Sequence, residues 1–200
     1  SRAVEDVLRR EGVPYKIIGG IKFYARKEVK DILAYLRFIV NPRDSISFDR
    51  IINFPARGIG KRTLEKIHKL ALENDYSTLK ILEKSNELSV GVKQKKALQE
   101  FNQLIIKYRT AYKKQDAVSI ARDLIADIDI QNYYENQNTH EAVERWSNVQ
   151  ELLNSITDFQ DNRKENGLCE FLEEVSLLTD IDRWNEAEKA VTLMTIHSAK

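Results

Sequence analysis

From Arg26 to Val40 the chain reads RKEVKDILAYLRFIV, and Asn41-Pro42 follows. Val29, Ile32, Leu33, Leu36, Ile39 and Val40 recur at helical spacing, which puts them on one apolar stripe. The residue before a proline is pushed out of the helical region, so the helix is expected to stop at Asn41. A strand of the same composition would scatter these residues over both faces, and the segment therefore decides for a helical body. Phe23, Tyr24, Tyr35 and Phe38 lie on or near this helix and read as core rather than as platforms for stacked bases.

Toward the N-terminus, SRAVEDVLRREG repeats Val4, Val7 and Leu8 at helical spacing before Gly12, and the β-branched YKIIGG after Pro14 reads as a strand ending in a tight turn. Toward the C-terminus, SISFDRIINF reads as a short helix with Ser47 as its N-cap and Pro55 as its stop. KRTLEKIHKLALEN follows as a helix with Leu64, Ile67 and Ala71 turned inward. The polar EKSNELSVGVKQKK reads as a loop, KKALQEFNQLIIKYRTAYKKQ as a long helix, and VSIARDLIADI as another. DIDIQNYYENQN is polar and reads as the longest connection. Asn138 and Glu141 resemble a cap for HEAVERWSNVQELLNSITDFQ, whose expected stripe is Val143, Trp146, Val149, Leu153 and Ile156. GLCEFLEEVSLLTD reads as a helix, WNEAEK as a charged connector, and AVTLMTIHSAK as a strand running into a turn. The expected fold class is mainly α: a multi-helix orthogonal bundle with short β-strands near both termini.

Composition agrees. The 200 residues are 42% hydrophobic and 32% charged, with only seven Gly and three Pro, which favours long uninterrupted helices over a turn-dense sandwich. A single cysteine permits no intrachain disulfide and fits a reducing compartment. The longest apolar stretch, Ile32 to Val40, is interrupted by Arg37 and falls short of the roughly 18 to 20 residues a spanning helix needs. The chain opens at Ser1-Arg2 without an initiator Met, which reads as a piece of something larger. Net charge is +1, but residues 1–115 hold 25 Lys+Arg against 13 Asp+Glu, a net +12, and residues 116–200 hold 7 against 18, a net −11. Such polarity fits a polyanion on one side of the molecule; mutual neutralisation of the two halves is the plainer alternative.

The most informative short motif is Arg57-Gly58-Ile59-Gly60-Lys61-Arg62-Thr63. Two glycines let the backbone turn tightly while Ile59 plugs the gap between the flanking helices. The amides that follow are the unpaired donors of a helix N-terminus, and Arg57, Lys61 and Arg62 add positive charge. This is the logic of a helix-hairpin-helix that grips a nucleic-acid backbone without reading bases. An ordinary helix-helix turn with exposed basic residues is the other reading. His68, His140 and His197 lie far apart and none has a partner at metal-ligand spacing. Cys169 adjoins an apolar stripe and reads as packing. Neither GxGxxG nor a GxxxxGKS/GxxxxGKT phosphate loop occurs.

The succession GGIKFYARKEVKDILAYLRFIVNPRDSISFDRIINFPARGIGKRTLEKI, ERWSNVQELLNSI, FLEEVSLLTDIDRW and VTLMTIHSAK resembles the UvrD/PcrA/Rep group of superfamily 1 DNA helicases. The resemblance is strongest in residues 13–67 and 141–200 and weak from about Ser85 to Asn138. It implies a helical 2B accessory domain at 21–189, with residues 1–20 and 190–200 as pieces of a RecA-like motor domain 2A carrying the end of motif IV and the start of motif V. It further implies duplex-DNA contact through Arg57, Gly58, Ile59, Gly60, Lys61, Arg62 and Thr63, and single-stranded DNA contact through Thr195 and His197. The whole protein would be an ATP-driven 3′ to 5′ helicase of DNA repair or replication, using ATP and Mg²⁺ in the bacterial cytosol and working with its remaining motor domains. This chain, without Walker A, Walker B or motif VI, would hold no cofactor or metal and hydrolyse nothing. Two other readings of the residues remain: a free-standing helix-hairpin-helix DNA-binding module, and a helical protein-interaction domain whose acidic half docks a partner. The half-finished motor motif VTLMTIHSAK separates the first reading from these two.

Overall fold

The computed structural model describes residues 4–5, 7–8, 11–18, 22–162, 167–184 and 190–194. Two strands, β1 (Tyr15–Ile18) and β2 (Val191–Met194), frame the helices α1 (Lys27–Val40), α2 (Ser45–Ile51), α3 (Lys61–Asn74), α4 (Thr78–Glu83), α5 (Val92–Ala111), α6 (Ala117–Asp127), α7 (Ile130–Glu135), α8 (His140–Asn162) and α9 (Leu168–Trp184). The mainly α class expected from the sequence holds.

Helix α1 is the axis of the bundle. It packs against α2, α5, α8 and α9, so it is buried on nearly every side rather than along one stripe. Even Glu28 and Asp31 are enclosed, and each finds a partner: Asn148 on α8 donates to Oε1 of Glu28, and Nε of Arg50 lies 2.7 Å from Oδ1 of Asp31. Phe38, Phe48 and Phe101 bring α1, α2 and α5 together, with centroids 5.5 Å apart for Phe38 and Phe48 and 6.2 Å for Phe48 and Phe101. Phe23, Tyr24, Tyr35 and Phe38 are all core, as the sequence suggests. The Tyr24 hydroxyl meets Ser155 Oγ on α8 at 2.7 Å, satisfying two buried polar groups at once.

Several helix ends differ from expectation. Asp44, not Ser47, caps α2: its Oδ1 accepts from the Ser47 amide at 3.0 Å and its Oδ2 from the Ser47 hydroxyl at 2.6 Å. α2 then ends at Ile51, before Pro55 is reached. Thr139, not Asn138, caps α8, its Oγ1 accepting from the Ala142 amide at 3.1 Å; Asn138 has φ +49°. The expected loop, residues 83–96, follows α4, which is capped by Ser77, and its last five residues already belong to α5; the expected longest connection folds as α7, which buries Ile130 and Tyr134 one turn apart. On α8 the buried side is Ala142, Val149, Leu152, Ser155, Ile156 and Phe159, while Val143 is exposed. Val4 and Val7 are exposed too, and Gly12 with φ +64° ends that first turn as expected.

Strands β1 and β2 pair in parallel, with Tyr15 opposite Val191 and Ile18 opposite Met194. Parallel strands need a crossover rather than a tight turn. Here the whole helical body is that crossover.

Candidate nucleic-acid interface

The Arg57–Thr63 motif sits between α2 and α3, and its geometry is set by one asparagine. Oδ1 of Asn53 accepts from the Arg57 amide at 2.8 Å and from the Ile59 amide at 3.1 Å, folding the chain back on itself. Gly58 has φ +72°, a left-handed conformation that glycine enters without strain. Ile59 is buried and fills the gap between the helices, as expected. Gly60 is the extended N-cap of α3 with φ −89°, so it does not depend on glycine's freedom.

The start of α3 is built against ordinary helix stability. Its cap offers no side-chain acceptor and its first turn holds no acidic residue. The first intrahelical bonds come from the Thr63 and Leu64 amides to Gly60 O, at 3.0 and 3.2 Å, leaving the amides of Lys61 and Arg62 ahead of the ladder. Lys61 and Arg62 project into solvent; the Lys61 side chain is 90% exposed and lies 4.0 Å from Glu65. Two cations beside the positive end of a helix dipole cost about 0.3 to 1 kcal/mol each. An anion placed there would reverse that sign.

The structure divides the residues that the sequence groups together. Gly58, Gly60, Lys61 and Arg62 face solvent, whereas Ile59 and Thr63 are buried. Arg57 stands apart from the others, because its guanidinium turns inward. Nη1 lies 2.9 to 3.4 Å from the carbonyl oxygens of Ile51, Ile52, Phe54 and Pro55, and Nη2 donates to the Tyr35 hydroxyl at 2.7 Å. The Tyr35 hydroxyl in turn donates to Phe54 O. Burial pushes this phenol up to about 12 despite the guanidinium beside it, so it stays a donor. Thr195 and His197 lie outside the described residues, as do Ser1 and Arg2.

Asn53 and Tyr35 are the site residues that the sequence reading misses. The signal for Asn53 was present: asparagine just before a proline-containing turn bonds nearby backbone amides. Tyr35 carried none, since its role depends on a contact across the bundle. On the far side of the turn, His68 Nε2 meets Asp49 Oδ1 at 2.8 Å and ties α3 to α2. Among the described residues no group of His, Cys, Asp and Glu could hold a metal ion, and no helix is long and apolar enough to cross a membrane. Burial, aided by Glu170 and Glu173, pushes the half-buried Cys169 thiol up, away from the reactive thiolate.

The fold defines a mainly α, multi-helix protein whose first and last strands pair in parallel. The family described as UvrD-like helicase C-terminal domain matches residues 1–200, and the chain belongs to that family. It is 35% identical over 206 residues to the ATP-dependent DNA helicase PcrA of Bacillus subtilis (strain 168) and 36% identical over 206 residues to that of Staphylococcus aureus (strain Mu50). The match to PcrA of Staphylococcus epidermidis is 35% over 205 residues. Each alignment covers the whole chain but 28% of the relative, so the chain spans little more than a quarter of the length of these curated relatives.

Proposed function

We propose that residues 21–189 form the 2B accessory domain of a superfamily 1 DNA helicase, inserted into motor domain 2A, to which residues 1–20 and 190–200 belong. The insertion reading is supported by the parallel pairing of β1 with β2. A two-stranded parallel ribbon is marginal by itself, because parallel sheets are normally covered on both faces, so a larger sheet is the natural home for this pair. The whole protein would be an ATP- and Mg²⁺-dependent 3′ to 5′ helicase, working in the cytosol in DNA repair or replication. Thr195 and His197 would touch its single strand. This chain would contribute neither nucleotide binding nor hydrolysis.

Within that protein, the turn from Gly58 to Arg62 grips the duplex backbone. One observation carries this reading: α3 begins with solvent-facing Lys61 and Arg62, open amides and no acidic neighbour in its first turn, an arrangement that disfavours the bare helix and favours a phosphate. The test is a Lys61→Ala/Arg62→Ala double variant of the full-length protein, titrated with blunt duplexes at several salt concentrations. Affinity should fall by a similar factor for every sequence, and the log-log salt slope should flatten by about 0.9 per lost phosphate contact. Unchanged affinity and slope would make the turn purely structural.

A further inference from the structure

We infer that Arg57 is a positioning residue that locks the turn to the core through Tyr35, and is not itself a phosphate ligand; the inference rests on the reading of Gly58–Arg62 as a backbone grip. The carbonyls of Ile51 and Ile52 mark the C-terminal end of α2, where orphan acceptors and the negative end of the dipole both ask for a cation. Those of Phe54 and Pro55 belong to the turn, where no helical or strand ladder can satisfy them. A single guanidinium answers all four and still reaches the Tyr35 hydroxyl with its other arm. It lies against the Phe101 ring at 5.2 Å from the centroid and the Tyr35 ring at 5.9 Å, so the cation rests on the core.

Swinging this side chain out to a phosphate would strip the carbonyls and the hydroxyl of their shared donor and uncover two aromatic faces. Its charge is therefore already committed. The backbone of the same residue is held as well, by Asn53 Oδ1. The result is a continuous physical link from the middle of α1, through Tyr35 and Arg57, to the turn that aims the Lys61 and Arg62 amides. Lysine keeps the charge but lacks the planar fork needed to serve both ends of this link.

The experiment compares Tyr35→Phe, Arg57→Lys, Arg57→Ala and Lys61→Ala/Arg62→Ala in the full-length protein. Each is read by blunt-duplex affinity across a salt series, by amide hydrogen exchange from Ile59 to Arg62, and by a melting curve that certifies folding. Tyr35 is fully buried and cannot touch DNA. Tyr35→Phe and Arg57→Lys should each speed exchange in the turn and weaken duplex binding by roughly tenfold or more, the scale of one lost hydrogen bond to a charged group. Combining the two should cost little beyond either alone, since both cut the same link. The inference is overturned if Tyr35→Phe leaves exchange and affinity unchanged. It is overturned equally if Arg57→Lys is silent while Arg57→Ala removes about 0.9 from the salt slope, the mark of a direct phosphate contact. Should Lys61→Ala/Arg62→Ala prove silent, the backbone-grip reading fails, and the exchange measurement still decides whether Tyr35 and Arg57 hold the turn.

Discussion

The Tyr108 hydroxyl donates to Oδ2 of Asp127 at 2.8 Å, fastening the C-terminal half of α5 to the end of α6. Lys107 reaches the same oxygen from the neighbouring position. The two donors hold the Asp127 carboxyl below the usual carboxylate range, with the Lys107 bond the larger cause and Tyr108 adding to it, against a smaller opposing effect of burial. The Tyr108 phenol is pushed up in turn, first by its burial and then by that carboxylate.

A carboxyl held low binds its proton more weakly in the folded state than in the unfolded one. Its stabilisation is thus present above the unfolded value of about 3.9 and is lost as pH falls through the lower folded value. Asp127→Asn should therefore be less stable than the parent at neutral pH, and the gap should close in acid. Because the Asp127 and Lys107 side chains are 36% and 59% exposed, solvent screening keeps the effect below about 1 kcal/mol. Urea midpoints at pH 7 and pH 3 check this; a gap that does not depend on pH would refute it.

The two glycines of the turn should respond differently to substitution. At Gly58 an added Cβ meets nothing within 4 Å, so the whole cost is the φ of +72°, about 1 to 2 kcal/mol for Gly58→Ala. Gly60 also has open space around it, but its φ of −89° suits any residue. Gly60→Ser should add the side-chain acceptor that α3 lacks and stabilise by a few tenths of a kcal/mol. Equal losses at both positions in chemical denaturation would contradict this.

The sequence announced α3 to the residue because Gly60 and a clear apolar period bracket it, and α1 was equally plain. α7 is not legible in the sequence because only Ile130 and Tyr134 anchor it, and two anchors in six residues do not make a period. The inward side of α8 departs from the sequence pattern at Val143 for another reason. This helix packs against α7, α6 and α1, so its buried line follows those neighbours and not the largest side chains. At the candidate site the glycines, Lys61 and Arg62 were legible from local chemistry. Arg57 was not, because a charged side chain turns inward only when carbonyls are left without donors, and which carbonyls those are is decided by the folded turn.

Asp31 and Arg50 form the ion pair whose rupture should be costliest. Burial pushes the Asp31 carboxyl up, and Arg50 offsets this only in part. Its Oδ2 has no hydrogen-bond partner among the described residues. An acid with a raised folded value contributes stability below the unfolded value of about 3.9 and loses it as pH rises through the folded value. Removing Arg50 widens that window. Arg50→Ala should cost about 3 kcal/mol at pH 7 and clearly less near pH 4, and adding Asp31→Asn should recover part of the loss. If the double variant is no more stable than Arg50→Ala alone, Asp31 is not held as a charge.

Phe101 should be the core position where packing and the turn are felt together. Its ring stands 6.3 Å from Tyr35, 6.5 Å from Phe38 and 6.2 Å from Phe48, and the Arg57 guanidinium lies 5.2 Å from its centroid. Phe101→Ala removes the ring and leaves a cavity among large side chains, at a cost of about 3 to 5 kcal/mol. That is a large part of the roughly 5 to 15 kcal/mol that holds a domain folded. Phe101→Leu keeps most of the volume and should cost about 1.5 kcal/mol or less for packing, with a further loss of about 1 kcal/mol for the missing ring beneath the cation. That further loss should vanish when Arg57 is already Gln, giving a coupling of about 1 kcal/mol in a double-mutant cycle. Ile105→Val, buried one turn along the same helix, should cost about 0.5 to 1.5 kcal/mol with no coupling to Arg57. Strictly additive losses for Phe101→Leu and Arg57→Gln would show that the ring and the cation share space but no energy.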